Sequence, residues 1–356
     1  MMNNDVAISS LVRENIRKLV PYASARDEFS GSASVYLDAN ENPHNPPLNR
    51  YPDPTQNNLK DLVASMRGQY KGNLFIGNGS DEAIDLLFRV LCEPGQDRVI
   101  TVDPTYGMYR VCAAVNDVQC ISVLLRKDFS LDAGAVLAAV DERTKMIFLC
   151  SPNNPTSNSL EMEAMLEIID KAPCMVVVDE AYIDFSSEPG LLPLVPEKKN
   201  LVVLQTLSKA WGLAGIRLGM AFAHPELIRY MSAVKYPYNV NSLSLAEAEK
   251  ALGKEEEKKA WVENILHERE RLSRELSAFG FVERVFPTDS NFLLVRMKDA
   301  KQIYSYLQNS GIIVRDRSSV PLCDGCLRIT VGTSKENGLL LDALEKYEQD
   351  KQINKP

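Results

Sequence analysis

Between about residues 74 and 223 the chain alternates short apolar runs with helical patterns. The runs are Leu74–Ile76, Val99–Val102, Ile121–Leu125, Met146–Cys150, Met175–Val178, Leu201–Leu204 and Leu218–Ala223. Strands apolar on both faces belong to a sheet covered on both sides, and helical crossovers between them make most of the pairings parallel. The expected fold class is therefore α/β, a mostly parallel sheet with helices on both faces. One helix is well delimited. Ser80 and Asp81 follow Gly79 as candidate N-caps, Ile84, Leu87, Phe88 and Leu91 recur on one face, and Pro94-Gly95 ends the pattern.

The character changes at Gly253. A long, highly charged helix is predicted from Lys254 toward Gly280, turning Trp261, Ile265, Leu272 and Leu276 to a core. Asn291–Val295, a helix around Ile303–Leu307, Gly311–Val314, Leu327–Val331 and a last helix through Leu340–Tyr347 then make a smaller α+β module. The first 30 residues read as a helix broken by Pro21, and the proline-rich stretch from Asn42-Pro43 to Pro54 reads as an extended loop. The expected division is an N-terminal arm over residues 1–35 that adds to the small domain, a large domain over 36–255 and a small C-terminal domain over 256–356.

Length and charge narrow the function. A chain of 356 residues suits about two domains. Its 40 basic and 48 acidic side chains give a net charge of −8, which lacks the electrostatic footprint of a nucleic-acid binder. Local basic residues can still receive a small anion. The seven cysteines are odd in number and lie beside apolar runs, as buried free thiols in a reducing compartment do. Met1–Asp5 opens no basic and then apolar leader, and no apolar run nears the roughly 20 residues of a membrane span, so the expected location is the cytoplasm. With three histidines, no HExxH and no GxSxG, zinc and serine hydrolases are unsupported. Cys323-Asp324-Gly325-Cys326 has neither a second cysteine pair nor a histidine cluster, so no metal is assigned to it.

The most informative stretch is Ser208–Gly219. Lys209 follows an apolar strand and precedes a glycine-rich segment holding Arg217. A lone loop lysine is ordinarily solvated. Here the strand Met175–Val178 ends in Asp179-Glu180-Ala181-Tyr182, and Cys150 is followed by Ser151-Pro152-Asn153-Asn154-Pro155-Thr156, so a carboxylate, a tyrosine and an amide share the sheet edge where α/β proteins bind ligands. These groups meet the needs of pyridoxal 5'-phosphate. Lys209 supplies the Schiff-base amine, Asp179 the partner for the ring nitrogen, and Tyr182 with Asn154 the donors to the 3′ oxygen. Arg217, Ser208, Thr206 and the backbone N–H groups at Gly79, Ser80 and Asp81 supply a phosphate cradle at a helix start. A dinucleotide fingerprint at Gly77–Glu82 fails because Glu82 stands at the third glycine position. Asp81 is expected to turn its N–H, more than its carboxylate, toward the phosphate.

Leu37–Pro43, Arg50-Tyr51-Pro52, Ser151–Thr156, Asp179–Tyr182, Thr206–Lys209 and Leu327–Gly332 together resemble the histidinol-phosphate aminotransferases, a branch of the fold type I pyridoxal phosphate transferases. The lysine and aspartate motifs specify only the superfamily; Tyr22–Arg26, Asp38–Pro43 and Gly311–Asp316 narrow it. The resemblance implies amino transfer from histidinol phosphate to 2-oxoglutarate, giving imidazole acetol phosphate and glutamate, in histidine biosynthesis. It implies that Tyr106 stacks on the cofactor ring and that Tyr51 reaches the phosphate of a partner subunit's cofactor, in a homodimer with shared sites to which the N-terminal arm contributes contacts. It also implies that Tyr22, Arg315 and Arg328, with Asn154, hold the substrate. The family's usual Asn-Pro-Thr-Gly is Asn154-Pro155-Thr156-Ser157 here, and turns that use positive φ favour glycine. A threonine-phosphate decarboxylase, an aromatic or aspartate aminotransferase of the same fold, and a cofactor-sensing regulator are the alternatives.

Overall fold

A computed structural model describes residues 7–22, 31 and 33–353. Met1–Asp5 and the Ala23–Arg26 part of the Tyr22–Arg26 motif lie outside the described residues. Two short helices, α1 (Ile8–Leu11) and α2 (Glu14–Arg17), precede α3 (Asn57–Arg67). Then come β1 (Leu74–Asn78), α4 (Ser80–Leu91), β2 (Arg98–Asp103), α5 (Met108–Val115), β3 (Gln119–Leu124), α6 (Ala133–Ala138), β4 (Thr144–Cys150), α7 (Met162–Lys171), β5 (Met175–Asp179), β6 (Leu201–Thr206) and β7 (Leu218–Ala223). Helices α8 (Pro225–Val234), α9 (Ser242–Leu252) and α10 (Glu255–Leu276) lead to β8 (Val282–Val285), β9 (Phe292–Met297), α11 (Ala300–Asn309), β10 (Arg315–Asp316), β11 (Cys326–Thr330) and α12 (Ser334–Ile353).

The first seven strands form one sheet in the order β1-β7-β6-β5-β4-β2-β3. Pairing is parallel from β6 across to β3, and β7 runs antiparallel to both β6 and β1. Successive side chains of a strand point to opposite faces, and both faces are covered here. Val176 and Val178 of β5 pack in one apolar layer with α3, α7 and α9, while Met175 and Val177 pack in the other with α4, α5 and α8. Only the edge strand β3 departs from the two-faced pattern, because a single neighbour and one helix leave much of it exposed. Ile8 and Val12 join the layer of α4 and α8, so this described part of the arm packs on the large sheet.

The second sheet is antiparallel, in the order β10-β11-β9-β8. Its core is shared by α10, α11 and α12. Gly311–Val314 does not pair as a strand: pairing begins at Arg315, after Gly311 turns the chain at φ 79°. Along α10, Trp261 stands 46% exposed, whereas Val262, Leu272 and Leu276 are buried. The inward stripe passes through Lys258 and Val262, one position off Trp261, because Lys258 Nζ reaches Asp184 at 2.8 Å and lies over the Trp211 ring.

At α4 the cap is Gly79, at φ 82°, and Ser80 is already helical with no side-chain cap bond. The start of this helix rests directly on β7: a Cβ at Gly219 would lie 2.8 Å from Ser80 Cα and closer still to Ser80 N and the Gly79 carbonyl carbon. Gly219→Ala is therefore expected to lower stability by about 1–3 kcal/mol through overpacking against backbone. Urea unfolding at constant m-value measures it, and a midpoint equal to that of the parent would show that this contact does not hold the helix start.

Candidate active site

The C-terminal ends of β4, β5 and β6, the start of α4 and the β10–β11 pair converge on a cavity of about 630 Å³. Strand geometry places its deepest group. The all-buried β5 ends in Asp179, registered against Cys150 of β4 and Leu204 of β6. The Asp179 carboxylate is 3% exposed. Tyr109 Oη donates to its Oδ2 at 2.7 Å and Ala181 N to its Oδ1 at 3.0 Å. Burial raises its pKa above the ordinary carboxylate value, opposed by those two hydrogen bonds. Tyr109 belongs to the site although no motif singles it out. It is fully buried, stacked 4.7 Å from Phe148 and edge-on to Tyr106 at 5.6 Å, so it fixes both the carboxylate and the Tyr106 ring. It stands in the first turn of α5, three residues after Tyr106 in the same Tyr106–Tyr109 segment.

Lys209 follows β6 and lies in the same cavity, its Nζ 5.4 Å from the Tyr182 ring centroid. Its pKa is lowered by burial and then by the Arg328 charge, with Asp179 acting in the opposite sense. Tyr182 is buried and meets Phe292 edge-on at 5.2 Å. Asn154 Oδ1 accepts from Arg328 Nη1 at 2.6 Å, joining the loop after β4 to the second sheet.

Gly79, Ser80, Asp81, Thr206, Ser208 and Arg217 gather at the other wall. The Thr206 hydroxyl accepts from Ser208 N at 3.1 Å, and Arg217, at φ 55°, folds its guanidinium back over the helix start. A Cβ at Gly79 would come within 2.9 Å of Arg217 Nη2. The Asp81 carboxylate does face this space, with Oδ2 3.5 Å from Arg217 Nη2 and Oδ1 accepting from Tyr106 Oη at 3.1 Å. Where its N–H, more than its carboxylate, was expected to face this space, the carboxylate faces it too, drawn by two donors on the wall.

Arg315, Arg328 and a third guanidinium, Arg317, line the cavity as well. Tyr22 and Tyr51 do not. Tyr22 ends an exposed stretch from Arg17 and is 75% exposed, so within one chain it is not at the substrate position expected for it. Tyr51 stacks on Tyr238 at 4.5 Å, outside the cavity and half-exposed. All seven cysteines are free, six of them buried.

The donor set matches pyridoxal phosphate in its chemistry. An amine, a sealed carboxylate and a glycine-floored helix start beside an arginine lie in one cavity. A model of aminotransferase class I and II matches residues 29–344. The chain belongs to that family. Among its relatives, "Histidinol-phosphate aminotransferase" of Parabacteroides distasonis is 55% identical over 338 residues, covering 95% of this chain and 98% of that one. The crystal structure of histidinol-phosphate aminotransferase from Sinorhizobium meliloti in complex with pyridoxal-5'-phosphate superposes with a TM-score of 0.78 at 26% identity, over 85% of this chain and 83% of that one. L-threonine-O-3-phosphate decarboxylase from Porphyromonas gingivalis shares the fold, with a TM-score of 0.72 at 22% identity over 85% of this chain and 91% of that one.

Ser157, at the family's glycine position, adopts φ 71°. Its backbone and hydroxyl lie between this aminotransferase's two sheets: Oγ donates to Thr156 O at 2.5 Å and shares that proton with Pro287 O at 3.2 Å, and its carbonyl accepts from Asp289 N at 2.8 Å. A left-handed L-residue costs roughly 1–2 kcal/mol, and a buried acceptor left unsatisfied costs about 1–3 kcal/mol. Ser157→Gly trades one for the other and should stay within about 1 kcal/mol of the parent, whereas Ser157→Ala keeps the strain, loses the bond and should fall by about 1–2 kcal/mol. Denaturant midpoints of the two variants decide this, and an alanine variant at least as stable as the glycine variant refutes it.

Proposed function

We propose that this chain is a histidinol-phosphate aminotransferase. It moves the amino group of L-histidinol phosphate to 2-oxoglutarate, giving imidazole acetol phosphate and glutamate. Beyond the relatives, one observation carries this reading: a single cavity joins the amine of Lys209 and the carboxylate of Asp179 to guanidiniums on the opposite sheet that no described carboxylate pairs with. Such unpaired charge suits a substrate whose far end is an anion.

Pyridoxal phosphate, when bound, supplies the electron sink that lets a proton leave the substrate's α-carbon. Lys209 would hold it covalently, and Asp179 would hold the ring nitrogen, with Tyr109 keeping that carboxylate in place. Tyr182 and Asn154 would face its 3′ oxygen and Tyr106 its ring. Ser80, Asp81, Thr206, Ser208 and Arg217 would take its phosphate, together with the partner subunit's Tyr51. A homodimer would cover exposed apolar side chains beside Tyr51, namely Leu48 and Leu243. Lys209 Nζ moves the α-proton. Burial and the neighbouring Arg328 charge favour its neutral, basic form, as proton transfer near neutral pH requires. Arg328 and Arg315 hold the phosphate of one substrate and the side-chain carboxylate of the other. No helix among the described residues is long and apolar enough to cross a membrane, and a biosynthetic transaminase of this kind works in the cytoplasm.

An amine-donor panel with 2-oxoglutarate tests the reading, comparing histidinol phosphate with threonine phosphate, phenylalanine and aspartate. Histidinol phosphate should give the highest kcat/KM with no carbon dioxide released. Preference for another donor, or decarboxylation, overturns the assignment. Lys209→Ala should abolish both turnover and covalent retention of the cofactor after borohydride reduction.

A further inference from the structure

Arg315 and Arg328 are direct partners across the antiparallel β10–β11 pair. Side chains so placed stand about 4.5–5.5 Å apart at Cβ, and like charges there repel. Arg317 follows two residues after Arg315, on the same face of the strand, and its N–H continues the ladder to Cys326 O at 2.9 Å. All three guanidiniums line the active-site cavity. No ion pair to a carboxylate forms at any of them among the described residues. The Arg317 Nε is buried without a hydrogen-bond partner. An arginine has no acceptor capacity and does not discharge at neutral pH, so a buried and unused donor on it calls for an acceptor from outside the chain.

We propose that Arg317 is a specificity-determining residue that makes this anion subsite select a phosphate over a carboxylate. The proposal rests on the function proposed above and deepens it, since the two substrates end in different anions. A carboxylate offers two oxygens in one plane and one charge, which a single guanidinium fork satisfies. A phosphate monoester offers three terminal oxygens in different directions and nearly two charges at neutral pH. Two guanidiniums match that charge in number, but two planar forks do not face all three oxygens, and Arg328 already gives one N–H to Asn154; the third guanidinium, Arg317, meets the remaining oxygen. Burial and then the Arg328 and Arg315 charges push the Arg317 pKa down to about 10. It is therefore still charged at working pH, and the crowding is relieved when a dianion enters.

The test uses purified holoenzyme in a phosphate-free buffer, with Arg317→Gln and Arg317→Lys. The ratio of kcat/KM for histidinol phosphate to that for glutamate should fall about 10- to 100-fold in Arg317→Gln, the range for one lost bond to a charged group. The loss should sit in KM, since the phosphate is held alike before and during reaction. Arg317→Lys, which keeps the charge without the fork, should lose less. Calorimetric binding of inorganic phosphate to the holoenzyme should weaken in parallel. An unchanged ratio, or a loss confined to kcat, overturns the inference. If the parent enzyme does not accept histidinol phosphate, the proposed function fails by itself, and phosphate binding still decides Arg317: equal affinity in parent and Arg317→Gln overturns its role. Should Arg317→Gln not fold, Arg317→Lys alone decides, by a smaller fall in the ratio or by none.

Discussion

The site is organised around a carboxylate that water does not reach. Placing Asp179 at the end of an all-buried strand carries a desolvation cost of several kcal/mol if the group is to stay charged. Two donors, Tyr109 Oη and Ala181 N, repay part of it and fix the orientation of both oxygens. Lys209 in the same cavity offsets a further part, and the ring nitrogen of the proposed cofactor would add to it. The geometry follows from that requirement. Tyr109 must be buried to reach Asp179, its stacking on Phe148 sets its plane, and Tyr106 then packs edge-on against it with its hydroxyl on Asp81. One buried acid thus fixes the wall on which a cofactor ring would lie.

The second organising charge is Arg328. It donates to Asn154, lies 5.3 Å from the Phe292 ring centroid, and ranks behind burial among the causes that depress Lys209. An anion bound at Arg328 offsets part of that positive field, so the basicity of Lys209 is linked to occupancy of the far end of the cavity. The linkage crosses between the two sheets, and Ser157 with Pro287 and Asp289 fastens the same two bodies beside it.

Elements carried by long, unbroken apolar patterns were legible in the chain. Every strand of the large sheet falls on its predicted run, because the central strands are buried on both faces and even the half-exposed edge strand β3 keeps Ile121 and Val123 packed on the core. The antiparallel sheet was less so. Its edge strand β8 carries Glu283 and Arg284 outward and has no run to detect, and Gly311–Val314 is apolar yet pairs with nothing. Ten groups of the cavity were named from strand ends and the chemistry of their loops, and Tyr106, Arg315 and Arg328 from the family resemblance, whereas Arg317 at the cavity and Tyr109 behind it were not. Tyr109 reaches Asp179 from the start of α5, three residues after Tyr106, and Arg317 stands one strand repeat from Arg315; a polar residue at such a period carries no hydrophobic signal. Tyr51 and Tyr22 stand outside the cavity of a single chain, and the proposed homodimer is what would bring Tyr51 to a site.

Three like charges on one face of a short strand pair can persist only where stability is generated elsewhere. The β10–β11 pair contributes two register positions of its own, too few to hold repelling arginines by backbone bonding. β11 is anchored instead by five register positions to β9, whose Leu293 and Val295 are fully buried against α10, α11 and α12. The large sheet supplies the opposing wall through two apolar layers that need no polar group in the cavity for their own stability. Cavity and core are thereby separated in space, and charges that would destabilise a smaller core are tolerated at the cavity wall. The overall charge of −8 says nothing of this local excess, because the acidic residues that set it are spread over exposed helix faces such as that of α10.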